Sequence, residues 1–323
     1  MPKAVQLSAY GGVDQLAIVE VAKPVPGPGE IVVRVVAAGT NPGEIAIREG
    51  FLKDVFPKAF PFGQGTDFAG HVDAVGAGVT AFKAGDEVLG WSEERSAQAE
   101  YVKSSAAQLI AKPPALDWFR AGSLFVVATT AVAAVRAVAL KPGDVVAISG
   151  AAGGVGSLAV QLARRAGARV IGIAGDENGA FLRSVGVEQV AYGDGLAERL
   201  RAAAPHGINA FIDLFGGGYV DLAVTLGVAP ERIDTIIDHT AAARVGAKTD
   251  GSAAAASRET LASAADAIAW GEIVMPLSAI YPFGMLRDAY VELARRKARG
   301  KIVLAFDAAI TAPLRPPKNA PLP

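Results

Sequence analysis

The residues with the most chemical content in this chain are glycines. Gly150-Ala-Ala-Gly153-Gly154-Val-Gly156-Ser157 follows a β-branched run, Val145-Val-Ala-Ile-Ser149, and opens a helical stretch, Leu158–Arg165. Glycines let a backbone turn tightly and approach a pyrophosphate. The first helix amides and the positive end of the helix then meet the anion. The match to Gly-x-Gly-x-x-Gly is imperfect: Ala151 stands at the first glycine, while Gly153 and Gly156 fill the other two places. Alone, such a turn is equally consistent with a strand–helix connection that binds nothing. After Gly167, however, Ala168–Ala174 reads as a second strand. That completes a βαβ unit of about thirty residues, the context in which this motif cradles a dinucleotide.

Other chemistry is sparse. The three histidines, His71, His206 and His239, are far apart and form no metal-ligand cluster. His71 reads as a polar strand position and His206 as a loop residue; His239 follows a strand end and is a candidate neighbour of the cofactor. There is no Gly-x-Ser-x-Gly elbow, no Tyr followed four residues later by Lys, and no Walker lysine after the glycines. A dinucleotide cradle without a metal set or a nucleophile–base set suits a reaction carried by the cofactor. Hydride transfer needs positioning and polarisation more than a protein nucleophile.

The elements around the glycines follow two rhythms. The first 120 residues are β-rich, with a strong strand at Ile31–Ala37 and shorter ones at Leu16–Val21, Phe68–Val75, Glu87–Leu89 and Glu100–Val102. Turns at Pro24–Gly29, Gly76–Gly78 and Lys83–Asp86 separate them, as expected of a small barrel-like β domain. Ala121–Leu140 is helical in period. Strands and helices then alternate from Val145 to Ile237, which predicts a doubly wound parallel sheet. Phe211–Phe215 ends in a second glycine cluster, Gly216-Gly-Gly218, at the carboxyl end of a strand. Leu261–Trp270 and Leu286–Arg299 read as helices and Lys301–Phe306 as a strand that returns to the first domain. The tail, Ala312–Pro323, is Pro-rich and expected to be extended.

Composition narrows the classes. With 323 residues, 51% hydrophobic and 20% charged, the chain has the make-up of a globular protein of about two domains. A net charge of −1 gives no support for nucleic-acid or anionic-membrane binding. No signal peptide is expected, and the longest apolar stretch, Leu124–Val135, is too short to span a bilayer. The absence of cysteine excludes disulfides and thiolate zinc sites.

Several segments together resemble the medium-chain dehydrogenase/reductase superfamily, most closely its zinc-independent quinone oxidoreductase, or ζ-crystallin-like, branch. They are Ala9–Gly12, Pro24–Arg34, Ala37–Pro42, Gly65–Gly70, Val75–Val79, Lys83–Asp86, Lys141–Asp144, Ala151–Gly156 and Ala298–Val303, in the family's order. The resemblance implies an α/β fold. A GroES-like β-barrel domain (1–122 and 271–323) would carry the substrate, and a Rossmann domain (123–270) would bind NAD(P). It also implies NAD(P)H-dependent reduction of quinones or activated C=C bonds. A zinc-ligating Cys of the zinc-dependent relatives falls in the segment Gly39-Thr-Asn41, and their His-Glu pair falls at Thr66-Asp67, so no catalytic zinc is expected.

By the same resemblance, Asn41 lies beside nicotinamide and substrate, its carboxamide donating to the substrate carbonyl. Its bland alternative is an Asn placed for the turn before Pro42. Thr130 falls near the nicotinamide or its phosphate, and Ala152, Gly153, Gly154 and Val155 form the pyrophosphate loop. Gly175 follows the second Rossmann strand, Tyr192 packs near the adenosine ribose, Phe215 and Gly216 line the adenine-side loop, and Lys301 sits near the cofactor. No side chain stands out as general acid; Tyr101, Tyr281 and Glu44 are candidates. The expected cofactor is NADPH, with NADH the alternative. Gly175-Asp176-Glu177-Asn178 is acidic where a 2′-phosphate would lie, while Arg183 is placed to reach back to it. The loop Gly50–Phe56 is apolar and suited to shape a substrate pocket. Alternatives are a ketone or aldehyde reductase, a pathway-specific enoyl reductase, and a cofactor-binding structural protein of the crystallin type. A cytoplasmic homodimer is implied by the family alone.

Overall fold

The computed structural model describes residues 1–57, 59–309 and 311–315. The chain divides into two compact units, Met1–Val126 with Ser257–Glu272 and Leu277–Pro323, and Val127–Ala256 with Ile273–Pro276. Of the tail expected to be extended, residues 316–323 lie outside the described residues.

The first unit contains strands β1 (Lys3–Gln6), β2 (Ala17–Glu20) and β3 (Glu30–Gly39), helix α1 (Pro42–Arg48), strands β4 (Asp67–Val75), β5 (Glu87–Trp91), β6 (Tyr101–Ser105) and β7 (Leu109–Ala111), and helix α2 (Trp118–Ala121). β1 and β2 pair with each other. β3 organises the larger sheet. Its first half pairs antiparallel with β6, and its far end, from Ala37 to Gly39, pairs with a strand more than 260 positions later. Its other edge pairs with β4 along most of its length. The β-branched run Ile31-Val-Val-Arg-Val suits it to this. Ile31, Val33 and Val35 enter one core with Phe68, Val72, Val88 and Leu109, and each fully buried aliphatic there is worth about 1.5–3 kcal/mol.

Helix α3 (Phe125–Ala137) spans the division between the units. The second unit alternates β8 (Val145–Ser149), α4 (Gly154–Arg165), β9 (Arg169–Ile173), α5 (Gly179–Ser184), β10 (Glu188–Val190), α6 (Leu196–Ala203), β11 (Ala210–Asp213), α7 (Tyr219–Thr225), β12 (Ile233–Thr235) and α8 (His239–Val245). Its sheet has the order β10-β9-β8-β11-β12 and is parallel throughout. This is the expected doubly wound arrangement. Chain order reverses at β8, so the β8 and β11 carboxyl ends flank the switch point where such sheets bind ligands. Ala147, Ile171, Phe211 and Ile233 fill one core of this unit. The Gln161 carboxamide acts as a strand partner for Ile273–Pro276, donating to Val274 O at 2.8 Å and accepting from Val274 N at 2.9 Å.

The chain returns to the first unit with α9 (Arg258–Ala269), β13 (Leu277–Pro282), α10 (Leu286–Ala294) and β14 (Lys301–Ala305). β13 and β14 run parallel, and β14 is the late partner of β3. Helix α9 packs against β7 in this unit, whereas the sequence-based boundaries assign it to the nucleotide-binding part. Its apolar face, Leu261, Ala265 and Ile268, carries no local sign of which sheet it covers. Helix α10 ends at Ala294, short of the expected Arg299, and Arg296 turns with φ +54°.

Candidate functional site

In the second unit, the turn after β8 has the geometry its glycines imply. Gly150 takes φ +60° and Gly153 caps α4. A Cβ on Gly156 would stand 2.1 Å from Gly150 O and 2.8 Å from Ala151 C, so only glycine fits there. Ser157 N donates to Gly153 O, which leaves the earlier amides of α4, at Gly154, Val155 and Gly156, without intrahelical acceptors. These amides and the helix dipole suit a pyrophosphate.

Apart from Thr130, the other cofactor-binding residues singled out in this unit lie along the same edge of the sheet. Because all five strands are parallel, their carboxyl ends share one edge. Ala152–Val155 follow β8, Gly175 follows β9, Tyr192 follows β10, and Phe215 and Gly216 follow β11. Tyr192 is 56% exposed and Phe215 39%, with the Phe215 ring edge-on to Tyr219. Thr130 is buried within α3. His239 is the first residue of α8, and His71 lies against the Trp118 ring.

A residue not singled out from sequence organises this edge. Asp213, fully buried at the end of β11, accepts from Ser149 Oγ at 2.6 Å, Phe215 N at 3.0 Å and Gly216 N at 2.9 Å through one oxygen. Its other oxygen accepts from Thr235 Oγ1 at 2.8 Å. It therefore ties the ends of β8, β11 and β12 together and shapes the Leu214–Gly216 turn. An acid at a strand end just before Gly216-Gly-Gly218 is the signal that marks it.

In the first unit, Asn41 and Lys301 come together. Lys301 Nζ donates to Asn41 Oδ1 at 2.6 Å and to Thr40 O at 2.7 Å, and lies 3.8 Å from Asp67 Oδ2. Asn41 caps α1. Its Nδ2 donates to Asp67 Oδ2 at 2.8 Å and to Glu44 Oε1 at 3.2 Å. Both amide hydrogens are thus committed, and the expected donation from Asn41 to a substrate carbonyl would require one of these bonds to break. The pattern Asn41-Pro-Gly-Glu44 is a capping box, with Asn41 N donating to Glu44 Oε2 at 2.9 Å.

Glu44 is a buried hub. It also accepts from Thr66 N at 3.1 Å and from the Tyr290 hydroxyl at 2.5 Å, and Gln98 donates to that hydroxyl at 2.7 Å. Burial pushes the Glu44 carboxyl up, opposed by the Tyr290 hydroxyl. Burial and the Glu44 carboxylate push Tyr290 well above its ordinary value. Lys301 is pushed down by burial, against the pull of Asp67 and Glu44. Of the acid candidates, Glu44 belongs to this cluster. Tyr281 donates to Glu292 at 2.6 Å, and Tyr101 lies on β6 beneath the Lys23 ammonium. At the cluster's edge, Arg95 Nη1 donates to Thr66 Oγ1 at 3.1 Å and its guanidinium stacks over Phe56, 4.2 Å from the ring centre.

These residues do not make a zinc site. The Asn41 oxygen is spent on an ammonium, the Thr66 hydroxyl accepts from a guanidinium, and two cations already face the carboxylates. Among the described residues, no group of three or more His, Cys, Asp or Glu side chains forms a metal-holding set.

Residues 27–124 match the alcohol dehydrogenase GroES-like domain, and residues 154–247 match the zinc-binding dehydrogenase family. A chloroplastic quinone-oxidoreductase homolog of Spinacia oleracea is 36% identical over 196 residues, 58% of this chain and 60% of the relative. Quinone oxidoreductase of Homo sapiens is 34% identical over 179 residues, 55% of this chain and 54% of the relative. The matched stretch thus spans little more than half of these relatives' length. Among solved structures, the quinone oxidoreductase from Coxiella burnetii superposes with a TM-score of 0.85 at 29% identity, covering 95% of this chain and 99% of that one. An NAD-dependent alcohol dehydrogenase gives 0.83 at 26% identity, covering 94% and 100%. By its two matched domains, its relatives and its fold, this chain belongs to the medium-chain dehydrogenase/reductase superfamily, on the quinone oxidoreductase branch.

Proposed function

We propose that this protein is an NAD(P)H-dependent, zinc-independent reductase of quinones or of activated C=C bonds conjugated to a carbonyl. The observation that carries the reading is the Gly156 turn, which has room for no side chain and leaves the first amides of α4 free for a pyrophosphate. When bound, the reduced nicotinamide supplies a hydride. The chain's own residues position and polarise. The amides of Gly154, Val155 and Gly156 hold the pyrophosphate, and Asp213 sets the turn at Phe215 and Gly216 beside it. Asn41, with its hydrogens spent on Asp67 and Glu44, acts as a positioning residue, and Lys301 holds it in place.

The cofactor in this reading is NADPH. The acidic turn Asp176–Glu177 opposes a 2′-phosphate. Arg183, in the last turn of the helix that follows, supplies the counter-charge. Dissociation constants for NADPH and NADH test this. Arg183→Ala should weaken NADPH at least about tenfold, roughly 1.4 kcal/mol, and leave NADH unchanged. A wild-type preference for NADH above about tenfold would overturn the assignment. A cytoplasmic homodimer completes the proposal, and its mass in solution by light scattering checks the dimer. The activity itself is tested by oxidation of either reduced cofactor against quinones, enones and enoyl thioesters. No turnover across that set would refute it.

A further inference from the structure

Resting on that function, we propose that Arg95, seconded by Gln64, is the group that binds the substrate's carbonyl oxygen and carries the negative charge that reduction places on it. The β-carbon of an enone accepts hydride from the reduced nicotinamide and gains a C–H bond. The C=C electron pair moves into a new C=C–O⁻ enolate, and a solvent proton then adds to the α-carbon and restores the carbonyl. Arg95 keeps its own protons throughout. Such an oxygen needs a fixed donor with hydrogens to spare.

The polar cluster of the first unit leaves few such donors. Asn41 has committed both amide hydrogens. The Tyr290 hydroxyl donates its one hydrogen to Glu44, and Lys301 is spent on Thr40, Asn41 and Asp67. The Arg95 guanidinium makes one hydrogen bond, to Thr66 Oγ1, and its other N–H groups have no hydrogen-bond partner among the described residues. Phe56 fixes the plane of the guanidinium from one side. Arg95 also holds φ +57°, a left-handed conformation that is strained for a non-glycine residue and that tends to persist at functional sites.

A second observation points the same way. Gln64 is 4% exposed, yet neither its Nε2 nor its Oε1 has a hydrogen-bond partner among the described residues. Its amide lies close enough to the Tyr290 hydroxyl to hold back that group's rise. A carboxamide left without hydrogen-bond partners in a folded interior is costly. Gln64 and Arg95 line one small recess of about 10 Å³, room for a single water-sized group such as an oxygen, whose apolar walls are Ile47 and Phe62. The carbonyl oxygen of a neutral, flat compound fits that recess, with the rest of the compound outside it. Two carboxylates, Glu44 and Asp67, already balance Lys301 and Arg95, so a substrate that is anionic before reduction is disfavoured.

The test uses the full-length protein with saturating NADPH and a neutral cyclic enone. Arg95→Met should lower kcat by about 10²–10³-fold, the usual effect of losing an oxyanion donor, with the NADPH dissociation constant within twofold of wild type. Arg95→Lys should recover part of the loss, and free guanidinium should partly rescue Arg95→Ala. Gln64→Leu should lower kcat while leaving the unfolding midpoint equal or higher, because it removes an unpaired polar group; a merely structural Gln64 would not separate the two. If wild type turns over and both Arg95→Met and Gln64→Leu keep kcat within about threefold, this assignment falls alone. If wild type reduces no enone or quinone, the proposed function falls and takes it along.

Discussion

Asp234 makes a sharp prediction about how stability depends on pH. It lies on β12, fully buried, with Oδ1 accepting from Asp250 N at 2.7 Å and Oδ2 without a partner among the described residues. Burial pushes its carboxyl up to about 7; the Asp250 amide and Lys248 pull it down, while the Asp250 and Asp213 carboxylates add to the rise. In the unfolded chain an aspartate titrates near 3.9. Between those values the native state keeps a proton that the unfolded state has released, so stability falls as pH rises. The contribution is whole below about pH 4 and is lost as pH passes through about 7. About three pH units at 1.36 kcal/mol each give a loss of about 4 kcal/mol. Asp234→Asn keeps the acceptor for Asp250 N and cannot ionise. Its stability relative to wild type should therefore climb by up to about 4 kcal/mol between pH 4 and pH 8. At roughly 2–4 °C per kcal/mol, the difference in Tm between the two proteins should widen by about 10 °C. Urea or thermal unfolding of both proteins at pH 4.5, 6, 7 and 8 measures it. Parallel pH profiles for variant and wild type would refute the reasoning.

Gly156→Ala should raise the NADPH dissociation constant at least about tenfold, since its Cβ would press on Gly150 O and displace the amides that hold the phosphate; titration of cofactor fluorescence measures it, and unchanged affinity would count against the cradle. Lys301→Met should destabilise the fold by about 3–5 kcal/mol by leaving the Asp67 carboxylate buried beside an unpaired Asn41 oxygen. The double change Lys301→Met with Asp67→Asn should cost less than the sum of its parts, a coupling read from urea midpoints; strict additivity would mean that the pair is not coupled.

The parallel sheet was legible because its information is local. The run Val145–Ser149, the glycines and the helix after them sit within about thirty residues, and the strand reading at Val145–Ser149 matches β8 residue for residue. β13 and helix α1 escaped that reading. Leu277–Pro282 has no clean alternation, and α1 is only seven residues long, although its capping box, Asn41-Pro-Gly-Glu44, was there to be read. The partners of Asn41 were illegible for a different reason. Lys301 and Tyr290 reach Asn41 and Glu44 across about 250 positions of chain, and no spacing rule links residues brought together only by β14 and α10 packing. The same holds for Arg95, whose role follows from what its neighbours have already spent.

The central claim is direct hydride transfer from a bound nicotinamide to carbon, and isotope transfer tests it most directly. Turnover of a cyclic enone with NADPH carrying deuterium at the transferring position of nicotinamide C4 should place one deuterium on the β-carbon of the saturated ketone. The proton at the α-carbon should come from solvent. Product without deuterium at the β-carbon, or no product with either reduced cofactor, would contradict it.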